Sequence, residues 1–171
     1  PARWEFVASA GDGRSLAIHL FATMIEGENT VVFRFERPTG APPFGRELPA
    51  DCKVRLTVRF DIEDRNFHWE TKRNSGSELH FASNVETLQG RAGFSFRPEG
   101  RHLEISSSSG RYHAAPEWSE NLPHPIEASR GMTGSGDGFS PGWFELPLES
   151  GSACDVVISA DRSEPFTIDE S

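Results

Sequence analysis

Only two cysteines, Cys52 and Cys154, occur in 171 residues, too few for the disulfide framework of a small secreted scaffold. Each falls in a strand-like run where a small apolar side chain fits, so both are expected to be reduced core residues, with the cytoplasm as the expected compartment. Positive charge is also short: 17 Lys and Arg stand against 26 Asp and Glu, a formal net charge of −9. The clustered basic side chains that a phosphate backbone demands are missing, which argues against a nucleic-acid partner and says nothing against a neutral ligand. No apolar run approaches the roughly 20 residues that span a bilayer, and no secretion signal opens the chain, so no membrane partner is expected. Helical periodicity is scarce. Only the stretch around Ser83 to Gln89 tolerates a helix, at marginal length.

Familiar catalytic signatures are missing too. The sequence contains no Gly-x-Ser-x-Gly elbow, no phosphate loop ending in Gly-Lys-Ser/Thr and no Cys-x-x-Cys pair. The six histidines, at 19, 68, 80, 102, 113 and 124, show no short metal-ligand spacing, so no metal and no cofactor is expected. Gly134-Ser135-Gly136-Asp137-Gly138 resembles an anion loop in composition, yet no strand pattern leads into it and no helix follows, and a mobile turn is the expectation.

What is abundant is alternation. From Cys52 to Glu63, Cys52, Val54, Leu56, Val58, Phe60 and Ile62 alternate with charged and polar residues, the period-two pattern of a strand with one wet face. Leu16 to Met24 and Thr30 to Arg37 flank the turn Glu26-Gly27-Glu28-Asn29 as a hairpin. Phe94 and Phe96 face Leu103 and Ile105 across Pro98-Glu99-Gly100 as a second. Trp143 to Leu148 and Cys154 to Ala160, joined through Glu149 to Ser152, suggest a third. Thirteen Phe and four Trp provide a core for one domain over residues 1–171, and short strands between Gly, Pro and Ser turns make it an all-β antiparallel sandwich. Pro38 to Ala50 and Pro116 to Gly142 break the rhythm as long loops, the second expected to pack down through Trp118, Leu122, Ile126, Met132 and Phe139.

Two segments combine residues that suit a sugar. In Asp64-Arg65-Asn66-Phe67-His68-Trp69 a strand ends and a guanidinium, an amide, an imidazole and two aromatic rings follow at once. Rings can stack on a sugar's apolar face while polar groups bind its hydroxyls; the same mixture can also hold a buried corner together. In Trp118 to Phe144, Glu127 and Arg130 lie three apart, a spacing suited to an internal salt bridge in a loop.

Trp118-Ser-Glu-Asn121, Glu127-Ala-Ser-Arg130-Gly131 and Asp137-Gly-Phe-Ser-Pro141-Gly142-Trp143-Phe144 resemble, in order and spacing, a segment of the N-terminal domain of bacterial and archaeal glycogen debranching enzymes of the amylo-α-1,6-glucosidase type. Arg65-Asn66-Phe67-His68 resembles that family's Arg-Asp-aromatic-His motif, and Trp4 to Phe35 its paired strands. Asn66 stands where the family usually has Asp, and Thr133 and Gly136 where it has acids.

The resemblance implies a galactose-mutarotase-like supersandwich, here truncated at its N-terminus, since the chain opens at Pro1 without Met and enters strand pattern at once. It implies a non-catalytic domain of an enzyme hydrolysing α-1,6-glucosidic branch points. The partners are then a C-terminal catalytic helical barrel of the same polypeptide and an α-glucan ligand, and the isolated chain is expected to be inactive. An uncovered apolar patch is expected where the barrel docks. The candidate substrate-binding or domain-interface residues are Arg65, Asn66, His68, Trp118, Glu127, Arg130 and Asp137, with no catalytic residue among them. Arg65, His68, Glu127 and Arg130 are expected to lie together. The alternative is a stand-alone carbohydrate-binding or interaction β-sandwich.

Overall fold

A computed structural model describes residues 1–66 and 69–160. Alternating apolar residues build two sheets whose inner faces meet. The larger contains β1 (Ala2–Ser9), β2 (Arg14–Met24), β3 (Thr30–Glu36), β6 (Val85–Thr87), β7 (Ala92–Phe96), β8 (Leu103–Ser107) and β11 (Ala153–Ser159), in the order β1-β2-β3-β11-β8-β7-β6. The short β4 (Arg46–Glu47) runs parallel to the start of β2. The smaller sheet sets β10 (Ser135–Pro147) between β5 (Arg55–Arg59) and β9 (Arg111–Pro123). This is the all-β sandwich the alternation calls for.

The β2–β3 and β7–β8 hairpins form as expected, with Phe94 opposite Ile105, Phe96 opposite Leu103, and Gly27 and Gly100 at positive φ in the turns. The third hairpin does not form. Although Glu149 to Ser152 has turn composition, β10 and β11 belong to different sheets: β10 pairs with β5 and β9, and β11 with β3 and β8. The chain crosses the sandwich here, because both strands carry fully buried residues, Phe144 and Leu146 on one and Val156 on the other, that pack into the same core from opposite sides.

The stretch 116–142 is likewise not an irregular loop. Most of it is the long antiparallel ribbon of β9 and β10, with register shifts between Gly136 and Gly138 and between Ser140 and Gly142. The bulges interrupt the alternation and mask the strands in the sequence. The glycine run from Gly134 enters β10, and Gly136, Asp137 and Gly138 are buried. Trp118 and Phe139 pack inward as expected, whereas Ile126 is exposed.

The main helix, α1 (Ser75–Asn84), overlaps the expected Ser83–Gln89 stretch only at Ser83 and Asn84, and the chain then enters β6. The helix starts where the Asn74 side chain accepts from the Gly76 and Ser77 amides and the Asn74 amide donates to Ser77 Oγ. Its Phe81 is buried between Phe96 and Phe139, stacked at 5.1 and 5.0 Å between centroids, and joins the two sheets at one end. No helix among the described residues is long and apolar enough to cross a membrane.

Cys154 is a buried free thiol whose pKa burial pushes up to about 11. Cys52, also free, is half-buried and precedes β5 rather than lying within it. The Pro38 to Ala50 loop is tied down by buried Arg37, which donates to the carbonyls of Leu48, Pro49 and Cys52.

The small sheet does not cover the whole inner face of the large one. Trp4 and Phe6 of β1 stand opposite Leu20 and Ile18 of β2, and Leu20 stands opposite core residue Phe35. All share one face, yet Trp4 is 46% and Phe6 51% exposed. The core therefore runs out onto an uncovered apolar shelf.

Candidate functional site

The strand from β5 ends in two backbone hydrogen bonds between Ile62 and Phe139, each 2.9 Å. They fix Glu63, Asp64 and Arg65 just beyond the pairing, at one end of the sandwich. Arg65 donates from Nε to Glu63 Oε2 at 2.7 Å and from both terminal nitrogens to Glu127, at 2.9 and 3.2 Å. It also holds the Trp69 carbonyl at 3.0 Å. His124 closes the ring, with Nε2 2.9 Å from Glu63 and Nδ1 3.3 Å from Glu127. The four side chains are 12–21% exposed, enough shielding for a fork of charge-assisted bonds to be geometrically demanding.

The hydrogen bonds from Arg65 hold the Glu127 carboxyl below its usual range, with burial opposing them in part, and the Glu127 bond in turn raises the Arg65 guanidinium. Local sequence arranges this. Glu127 sits on the short helix α2 (Pro125–Ser129), and His124 is clamped between Pro123 and Pro125. Gly136 lies beneath His124, and a Cβ there would stand 2.9 Å from the imidazole Cε1.

Asp137, a substrate-binding or domain-interface candidate from the sequence, is a buried backbone clamp. It accepts the Arg73 amide at 2.8 Å and the Asn121 amide at 2.9 Å, and Lys72 Nζ lies 3.6 Å away. Those backbone bonds, the Arg73 one first, lower its pKa against the opposing effect of burial. Asn121 takes the left-handed conformation at φ 59° where the ribbon bulges. Trp118 is a packing residue: its ring meets Phe81 edge-on at 5.4 Å and Phe139 at 5.2 Å. Asn66 is exposed, and its carbonyl accepts the Trp69 amide.

Arg130 is exposed at the C-cap of α2, and among the described residues it makes no ion pair with Glu127, which turns to Arg65. The local spacing of three is thus overridden by a partner 62 positions away. His68 lies outside the described residues. The structure therefore unites Arg65 with Glu127 and leaves Arg130 out of the ion-pair ring.

Sequence reasoning missed Glu63 and His124. The only signal for His124 was its place between two prolines. It also missed a second cluster on the next residue, where Asp64 receives His80 at 2.7 Å and a two-pronged contact from Arg101 at 2.7 and 3.0 Å. His80 is presented by α1 and Arg101 follows the β7–β8 turn. Consecutive acids at one strand end thus anchor two separate ionic clusters.

Fold and side chains together define an all-β sandwich domain with an end locked by ion pairs and an apolar shelf left open. The family model described as "Glycogen debranching enzyme N terminal" matches residues 2–154, and the chain belongs to that family. No curated protein and no solved structure matches it.

Proposed function

We propose that this chain is the non-catalytic N-terminal sandwich of an enzyme that hydrolyses α-1,6-glucosidic branch points of a glycogen-like glucan in the cytoplasm, where it scaffolds a helical catalytic domain and contributes to the glucan groove. The family match over residues 2–154 carries this reading. The geometry supports it in two ways. Glycoside hydrolysis calls for a protonated acid and a second carboxylate across the scissile bond. Here Glu127 is engaged by Arg65 and His124, Asp137 is spent on backbone amides, and both are held below the usual carboxylate range, the wrong direction for a general acid. The Trp4 and Phe6 shelf also supplies an apolar surface for a neighbouring domain to cover.

The test is glucose release from branched limit dextrin. The 171-residue chain alone is expected to release none above buffer, while the longer polypeptide that contains it does. Release by the chain alone overturns the non-catalytic role, and failure of the longer polypeptide overturns the debranching activity.

A further inference from the structure

Between the Ile62–Asp64 strand end and the β7–β8 turn lies an open cleft of about 750 Å³, in the size range of small-molecule sites. Ile62, Phe96 and Leu103 give it an apolar side, and Glu63, Asp64, Arg101 and His102 a polar one. We propose that this cleft binds a glucosyl unit of an α-glucan, an inference that rests on the glucan-processing reading above and gives it a location.

The donor and acceptor count favours a neutral polyol. Asp64 receives three contacts, two from Arg101 and one from His80, and Glu63 receives two, from Arg65 and His124. A carboxylate has about four acceptor positions, so both acids keep capacity for hydroxyl donors. Arg101 spends two of its five N–H groups on Asp64 and is 57% exposed, which leaves donors directed elsewhere. His102 Nε2 is buried without a hydrogen-bond partner, an unmet demand beside the apolar side. Adjacent acids disfavour an anion, and an imidazole and a guanidinium next to them disfavour a purely apolar guest. Hydroxyls that both donate and accept satisfy all of these groups at once.

The polar side is also pre-organised. Glu63 and Asp64 are each held by a separate ionic cluster anchored on a different element, which lowers the cost of ordering them around a ligand. Exposed Trp69, by contrast, does not line this cleft.

The experiment titrates the 171-residue chain with maltotriose in a calorimeter, using Arg101→Ala, His102→Ala and, as a control outside the cleft, Trp69→Ala, each checked for an unchanged melting profile. Wild type is expected to bind. Arg101→Ala and His102→Ala each weaken binding about tenfold, the loss expected for a hydrogen bond of this kind, and Trp69→Ala leaves it unaltered. If Arg101→Ala unfolds the domain, His102→Ala decides alone. Binding unchanged by the cleft variants, lost only in Trp69→Ala, or absent from wild type up to about 10 mM maltotriose overturns the proposal. Glucose release by the longer polypeptide judges the debranching reading separately, so the two can fail independently.

Discussion

At the residue scale, the end of the sandwich shows how partner choice decides role. Glu127 and Arg130 have a spacing that invites a local pair, but Arg65 offers Glu127 a planar fork from a strand end already fixed by Ile62, and the fork wins. Arg65→Ala then leaves Glu63 and Glu127 facing each other with only His124 between them. The expected result is a fall in Tm of about 5 °C or more by calorimetry, whereas Arg130→Ala stays within about 1 °C because an exposed arginine outside the ring is replaced. Equal shifts contradict the assignment of Arg65 as the lock.

Asp137 gives a pH dependence of definite sign. Its folded pKa lies below the unfolded value, so below about pH 5 the unfolded chain takes up the proton first. Its stabilisation is complete above the unfolded pKa and is lost as pH falls through the folded one. Denaturant melts between about pH 6 and pH 3 are expected to show Asp137→Asn losing less stability on acidification than wild type; parallel slopes refute the clamp. The local polar content of this site was legible in the sequence, since Arg65, Glu127 and Asp137 all proved structurally engaged. Their partners were not, because Glu63, His124 and the Arg73 and Asn121 amides reach them only through tertiary folding.

At the element scale, the β9–β10 ribbon explains both what the sequence revealed and what it hid. Strands with unbroken alternation, such as β2, β3, β7 and β8, were legible because period two survives in them. β9 and the first part of β10 were not, because two bulges shift the register and small or polar residues such as Ser140 and Gly142 occupy strand positions, whereas the alternating end of β10 from Trp143 was read as a strand. The final crossing into β11 was hidden for another reason: a turn composition does not say whether the next strand stays in the same sheet. The sandwich class was therefore readable while one of its connections was misassigned.

Two glycines near the ribbon, Gly131 and Gly142, are constrained for different reasons. Gly131 has φ 75° with open space around it, while Gly142 has no such φ but sits where a Cβ would collide with the His113 carbonyl and the Tyr112 hydroxyl. Gly131→Ala is expected to cost about 1 kcal/mol. Gly142→Ala is expected to cost about 2–3 kcal/mol or more, since backbone must move in a packed ribbon. Denaturant midpoints compare them, and a larger effect at Gly131 contradicts the close-approach account.

On the scale of the whole molecule, the ion pairs, the glycine-lined ribbon and the uncovered β1–β2 shelf support the scaffolding role proposed above. The carboxylates gathered at its end are the natural suspects for any hydrolytic role, so they offer the sharpest test. On the proposed reading, glucose release from limit dextrin by the longer polypeptide is measured for Glu127→Gln well below its melting temperature. A scaffold carboxylate predicts a lower Tm with kcat within about threefold of wild type. A fall in kcat of about 100-fold or more with Tm unchanged is the signature of a lost catalytic acid or base, and it contradicts the account.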